Sequence, residues 1–399
     1  PDGRWVDRSA KPPFNLKDLR NAVPKHCWVR DTKRSFAYLA RDLGVVAGLA
    51  AGAVWANHWA VWAAYAFVQG TMFWALFCVG HDCGHQSFSS SKRINDVVGN
   101  IVHSSILVPY HPWRISHRKH HANHGHVEND ESWHPLTKSV HDTLDLSAQV
   151  GRYKFPIPLF AYPIYLMSGV PGKQGSHYDP NNSRLFQEGE KRDVIESTVC
   201  VLGAVGCLAL AVSKFGLATV AKVYFAPYLC YILWLDAVTY LHHHGADDDE
   251  RLPWYRGKEW DFLRGGLTTL DRDYGIFNHI HHDIGTHILH HLFHSVIDRH
   301  SVIGSGSVIV NPEATTDIQK AHGCSQLDEL YVHTSTFLYG GLKGSDCGDL
   351  RADVEVKELK AVQHICRLEI IDQRYDLGDI QSEFCAVSRR TLPPPRSRG

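Results

Sequence analysis

From Leu43 to Val79 the chain carries no Lys, Arg, Asp or Glu, and only the pair Asn57-His58 interrupts its apolar character. A helix needs roughly 20 apolar residues to cross a bilayer. The run is therefore long enough to cross, turn at Asn57-His58 and return as a helical hairpin. A second pair of apolar segments follows, Ser197 to Val212 and Leu217 to Leu241, with Ser213-Lys214 between them and only Lys222 and Asp236 as charges inside. The first of these is short for a full span. Phe155 to Val170 is apolar but broken by Pro156, Pro158 and Pro163, which suits an interfacial or re-entrant segment better than a spanning helix. A mean hydropathy of -0.23 conceals this segregation. The expected fold is all-α and integral to a membrane: two transmembrane helical hairpins with a cytosol-facing catalytic cap.

Two hairpins return the chain each time to the side it left. The N-terminus, residues 81–196 and everything after Leu241 then share one side. Arg34, Arg41, Lys92, Arg93, Lys191 and Arg192 fall there, whereas the two turns hold only Lys214. The bias toward cytoplasmic Lys and Arg makes that side cytosolic or stromal. Residues 1–41 read as a soluble basic lead-in, 42–293 as the membrane domain and 294–399 as a tail of different composition.

A formal charge of -1 gives no field to attract nucleic acid, so that class of partner is set aside. The 10 cysteines form no C-x-x-C pair, and Cys78, Cys200, Cys207 and Cys230 lie in apolar runs as small hydrophobes. The 28 histidines matter more, because imidazole is a ligand for iron, zinc and copper.

Eight of them form three boxes on the shared side: His81 and His85; His117, His120 and His121; His287, His290 and His291. Spacings of three and four place such side chains on one helical face. One box alone is more often structural than metal-binding. Three together exceed the needs of one tetrahedral zinc and suit two metal ions with open positions. Ligand type alone does not choose iron over zinc. The single Glu-x-x-His motif, Glu131 to His134, sets the chain apart from soluble di-iron bundles, which use two. A metal transporter would carry its ligands within the spanning helices; here they follow them.

The boxes, with Trp113-Arg114-Ile115-Ser116 before the second, Asn123 to Trp133 after it and Gly265 to Gly275 before the third, resemble the plant-type omega-3 fatty acid desaturases. Tyr240 to Gly245 and Leu252 to Trp260 are similar to the same family, over about Pro13 to Phe293. The resemblance implies a membrane oxidoreductase that inserts a cis double bond at the omega-3 position of a polyunsaturated acyl chain, linoleoyl to linolenoyl on glycerolipids. It implies two non-haem iron ions on the eight box histidines, and a ninth ligand at His282, with His281 and His243 as alternatives. Dioxygen is the implied co-substrate, with electrons from cytochrome b5 at the endoplasmic reticulum or ferredoxin in the chloroplast. The same boxes serve omega-6 desaturases, hydroxylases and conjugases, and an inactive metal-binding membrane protein is the non-enzyme alternative.

Removing hydrogens from unactivated methylenes is beyond side-chain acids and bases, so a cofactor must supply the oxidant. Asp82, Asp130, Asp271, Asp273 and Asp283 are candidates to orient the ligand rings, or else ordinary caps and solvated acids. Phe73, Trp74, Leu76 and Phe77 either line an acyl slot or face lipid. Trp55, Trp59 and Trp62 fit an interfacial aromatic belt, and Arg118 and Lys119 either receive an acidic electron donor or are ordinary basic residues of a membrane face. After Phe293 the family pattern is lost at His294 to His300, and the tail reads as an altered reading frame or a divergent extra domain.

Overall fold

The computed structural model describes residues 12, 14–23, 25–132, 135, 138–144, 161–170, 173–244 and 252–294. The tail beyond His294, together with Trp133, His134 and residues 155–160, lies outside the described residues. Among the described residues the protein is nearly all helix: α1 (Leu16–Ala22), α2 (Thr32–Ala56), α3 (Trp59–Gly84), α4 (Lys92–Ser105), α5 (Tyr110–Asn123), α6 (Lys138–Asp142), α7 (Ala161–Ser168), α8 (Lys191–Phe215), α9 (Leu217–His243), α10 (Phe262–Gly266), α11 (Phe277–Ile280) and α12 (His287–Phe293). A two-stranded antiparallel ribbon, β1 (Gly169–Val170) with β2 (Lys173–Gln174), follows α7.

Four helices, α2, α3, α8 and α9, are long and apolar enough to cross a membrane. At about 1.5 Å per residue, the 25 residues of α2 exceed a hydrocarbon core about 30 Å thick. Their packing is unequal. In α3, 72% of the apolar window is buried inside the protein, against 17% in α2 and 22% in α9, so α3 is the hub. Helices α2, α4 and α9 pack on it, while α8 rests on α4 and α5. The outward faces carry exposed Val45, Trp55, Val199, Leu202, Leu210 and Leu233, an apolar surface that water does not favour and lipid does.

Each helix pair turns on a left-handed residue. Asn57 (φ 41°) ends α2 and donates its N–H to Ala53, and His58 accepts from the Ala60 N–H to start α3. Gly216 (φ 82°) closes α8 by donating to Val212. The second turn thus lies beyond Ser213-Lys214, and α8 is longer than its apolar stretch. It begins at Lys191 because its polar start faces protein, where Asp193 pairs with Arg114 of α5 at 3.3 Å. In α9 a π-helical turn at Ala221–Phe225 precedes Pro227, which has no N–H for a regular ladder.

Phe73, Trp74, Leu76 and Phe77 all point into the core rather than to lipid, with Trp74 stacked on Phe77 at 5.2 Å. Trp55 and Trp59 are exposed beside the first turn, as an interfacial pair would be. The lead-in does not stand apart. Phe14, Val23 and Cys27 pack with Leu267, Leu289, Leu292 and Phe293, and Trp28 meets Phe293 edge-on at 5.5 Å. Residue 41 lies inside α2, whose first turns are polar.

Helix α4 is seated on α3 where Gly80 leaves room for His103, whose Nε2–H donates to the Phe77 carbonyl at 3.1 Å. A Cβ at Gly80 would come within 2.0 Å of the His103 ring. Gly80→Ala is therefore expected to cost about 1–3 kcal/mol, read as a lower unfolding temperature in detergent. Burial lowers three histidines outside the boxes: His103 to about 3, His111 to about 4 and His177 to about 3. They stay neutral in the fold but take up protons near pH 6.5 when unfolded, so the unfolded state binds more protons as pH falls. Stability should be complete above about pH 6.5 and drop toward pH 4 by about 1.4 kcal/mol per pH unit for each withheld proton. Thermal unfolding across that range measures it.

Candidate metal centre

Four helix ends converge at one end of the bundle. His81 lies in the last turn of α3 and His85 is its C-cap; α5 carries His117, His120 and His121 and is capped by His124; α9 ends at His242 and His243; α12 carries His287, His290 and His291. Their ring nitrogens form two groups, each within 4.8 Å: His81, His85, His117, His121 and His290 in one, and His120, His124, His243 and His291 in the other. The groups touch where His121 stacks on His291, centroids 4.0 Å apart.

Helical geometry explains the partition. Residues four apart share a face and adjacent residues diverge by about 100°. On α5, His117 and His121 therefore serve the first group, while His120 and His124, one position out of phase, serve the second. On α12, His290 and His291 divide in the same way. His287 adjoins the second group, its Nε2 lying 3.2 Å from that of His243 and 3.1 Å from that of His291.

That crowding fits a metal. One ring proton cannot bridge to two neighbouring nitrogens, whereas a cation with nitrogen ligands at about 2.0–2.1 Å brings its ligand atoms roughly 3 Å apart. Neither group contains a carboxylate, which suits iron, zinc or copper rather than magnesium or calcium. Burial first, and then the neighbouring imidazoles, hold His121 and His291 well below the usual histidine range, leaving lone pairs available.

Asp130 is fully buried and accepts the Nδ1–H of His120 at 2.7 Å and of His124 at 3.2 Å, which leaves the lone pair of each ring on Nε2, where that of His124 accepts from the Thr268 hydroxyl at 3.1 Å. Burial alone would raise its carboxyl; the two imidazoles more than reverse this and hold it below the ordinary carboxylate range. Asp82 accepts from His81 Nδ1 at 3.1 Å. Asp271 acts on the backbone, accepting the N–H groups of His287 and Ile288 at 2.6 and 2.9 Å and so capping α12. Asp273 shapes the turn at Gly275 and Asn278, and Asp283 has left-handed backbone just before the third box.

The structure does not bring His282 into either group. Its Nε2–H donates to Asp42 at 2.8 Å, and a left-handed backbone (φ 60°) turns the side chain toward α2. His281 lies between Trp234 and Tyr274, ring centroids 5.8 and 5.4 Å away. Of the three alternatives for a ninth ligand, only His243 is in a group. His124 was not singled out from the sequence, although its four-residue spacing from His120 was the available signal. His242 is structural: Nδ1–H donates to the Leu270 carbonyl at 2.6 Å and Nε2 accepts from the Tyr274 hydroxyl at 3.2 Å. Arg118 pairs with Glu190 at 2.7 Å, Lys119 donates to the Arg184 carbonyl, and Glu131 holds Arg184 rather than a metal.

The family model described as fatty acid desaturase matches residues 57–297. The chain belongs to the fatty acid desaturase family. A second model, for a domain of unknown function, matches residues 2–51, which include Phe14, Val23 and Cys27 of the α12 contact and most of α2. A chloroplastic omega-3 fatty acid desaturase of Sesamum indicum is 59% identical over 75% of this chain and 66% of its own length. The temperature-sensitive sn-2 acyl-lipid omega-3 desaturase (ferredoxin) of Arabidopsis thaliana chloroplasts is 57% identical over 75% of this chain and 68% of its own. The acyl-lipid omega-3 desaturase (cytochrome b5) of the Arabidopsis thaliana endoplasmic reticulum is 57% identical over 74% of this chain and 76% of its own. The match thus spans about two thirds of the chloroplastic relatives.

Asp130 supports both its histidines at once. Asp130→Asn is expected to weaken metal retention by about 10- to 100-fold, measured as metal remaining on the purified protein after chelator challenge.

Proposed function

We propose that this desaturase introduces a cis double bond at the omega-3 position of a polyunsaturated acyl chain on a glycerolipid, using two non-haem iron ions, dioxygen and two electrons. The observation that carries the reading is the pair of touching, carboxylate-free histidine groups at the end of the bundle. His81, His85, His117, His121 and His290 would hold one ion, and His120, His124, His243 and His291 the other, with His287 adjoining the second. The omega-3 position, the acyl-lipid substrate and the donors, ferredoxin or cytochrome b5, are those in the names of the relatives. The protein is then a multi-pass membrane protein of the chloroplast or endoplasmic reticulum, with α2–α3 and α8–α9 as its two hairpins and the metal centre on the cytosolic or stromal side.

The balance is one CH2–CH2 unit, O2, two electrons and two protons giving one CH=CH unit and two waters. Bound iron supplies the activation of dioxygen that no side chain provides. The chain's own residues do the rest. Neutral buried imidazoles accept a cation without neutralising it, and Asp82 and Asp130 keep their rings oriented. Phe77 lies one helical turn to the membrane side of His81, and Trp113 stacks on His117 at 4.6 Å, so apolar walls border the first group and exclude water. Beside the same Trp113–His117 pair a cleft of about 180 Å³, lined also by His85, Gln86, Arg114, Arg118 and His294, borders the group. Such a cleft would give dioxygen, protons and product water a way to and from the group.

Yeast expressing the chain and fed linoleic acid should accumulate linolenic acid, detected by gas chromatography of methyl esters, and a His120→Ala variant should make none. A new double bond at another position would overturn the omega-3 assignment; an equal yield from His120→Ala would overturn the metal site.

A further inference from the structure

We infer that Asp42, on the membrane helix α2, is a positioning residue for the third histidine box and acts through His282. The inference rests on the two-iron reading of the histidine groups.

Asp42 adjoins the charge-free apolar run and is fully buried. A bare carboxylate there would be costly. It is matched on both oxygens: Oδ2 accepts the His282 Nε2–H at 2.8 Å, and Oδ1 accepts Arg41 Nε at 2.9 Å and Nη2 at 2.7 Å. Arg41 in turn reaches the carbonyls of His279 and Ile280, both at 3.4 Å. Tyr38 completes the grip, edge-on to the His282 ring at 5.8 Å and beneath the Arg41 guanidinium at 5.0 Å. One turn of α2 thus holds residues 279–282 across the bundle.

The held segment is strained. His282 and Asp283 both have positive φ, 60° and 49°, a conformation that disfavours a residue bearing a Cβ. Such a pair persists where its surroundings impose it. On one side the imposing contact is Asp42, which accepts from His282; on the other, the Asp283 N–H donates to the Asn278 carbonyl at 2.8 Å. This turn sets the direction in which the chain enters α12. Gly285 follows, so close to the Arg272 carbonyl that a Cβ would lie 2.1 Å from it. Asp271 then caps α12 at His287 and Ile288. Release of His282 lets the two left-handed residues relax, and His287, His290 and His291 lose their common aim.

The test is ferrous-iron content and affinity, by chelator competition, of the full chain purified in detergent. Wild type, Asp42→Asn, Asp42→Glu, His282→Ala and His282→Gln are compared, with size-exclusion profile as the check of folding. Wild type should hold two irons. Asp42→Asn and His282→Ala should each weaken retention by about 10- to 100-fold, and the double variant should be no weaker than either single one. Asp42→Glu should recover part of the loss. His282→Gln keeps an N–H donor toward Asp42 and should hold iron like wild type, which keeps the inference testable should Asp42→Asn fail to fold. Loss of iron in His282→Gln equal to that in His282→Ala would make His282 a ligand and overturn the positioning role, as would wild-type iron affinity in Asp42→Asn. Wild type without iron would defeat the two-iron reading itself, whatever the variants do.

Discussion

Crowding so many imidazoles into two touching groups is stable only if each ring is neutral and turned to present a lone pair inward, and the rest of the fold serves that condition. Burial first, and then the neighbouring imidazoles, hold His121, His243 and His291 well below the usual histidine range, which keeps these rings neutral. Orientation comes from the far nitrogen, and the carboxylates that see to it, Asp82 and Asp130, are buried as well. Each acid can lie there only because a ring N–H satisfies it, so rings and acids stabilise one another.

This condition explains the hub. Helix α3 must deliver His81 and His85 to a dry place, and it does so by being the one membrane-capable helix enclosed mainly by protein. Small residues let its neighbours approach closely: Gly70 beneath the Pro227 carbonyl of α9, and Gly80 beneath the His103 ring of α4. Opposite, Gly265 sits against the carbonyl of His124, and Trp260 donates to that same oxygen at 2.9 Å, so the end of α5 is fixed from the side of α10. Helices α2 and α8 contribute no ring to either group and meet the metal end through polar contacts such as those of Asp42 and Asp193.

The membrane helices and the boxes were legible in the sequence for a plain reason: absence of charge and a spacing of four are local properties. So was the convergence of the boxes, because each follows or ends a helix on one side. Four features were not legible, three of them because they depend on partners far along the chain. Helix α8 extends to Lys191 because Arg114 waits for Asp193. His282 stands next to the third box in sequence yet faces away from it, since its left-handed backbone points the ring at Asp42, 240 residues earlier. His124 follows the four-residue rule from His120 but lies outside the H-x-x-H-H pattern, so a reader of boxes passes over it. The packing of Phe14 and Val23 on α12 was hidden because a short basic segment with a few apolar residues resembles any surface lead-in.

The two histidine groups are proposed to hold two iron ions next to each other. The most direct measurement is Mössbauer spectroscopy of the purified full chain loaded with iron-57, combined with iron-edge X-ray absorption. The account predicts two high-spin irons per chain in separate nitrogen-rich environments, with a first shell of imidazole nitrogens and no thiolate. One iron per chain, a carboxylate-dominated shell, or zinc retained in place of iron would contradict it.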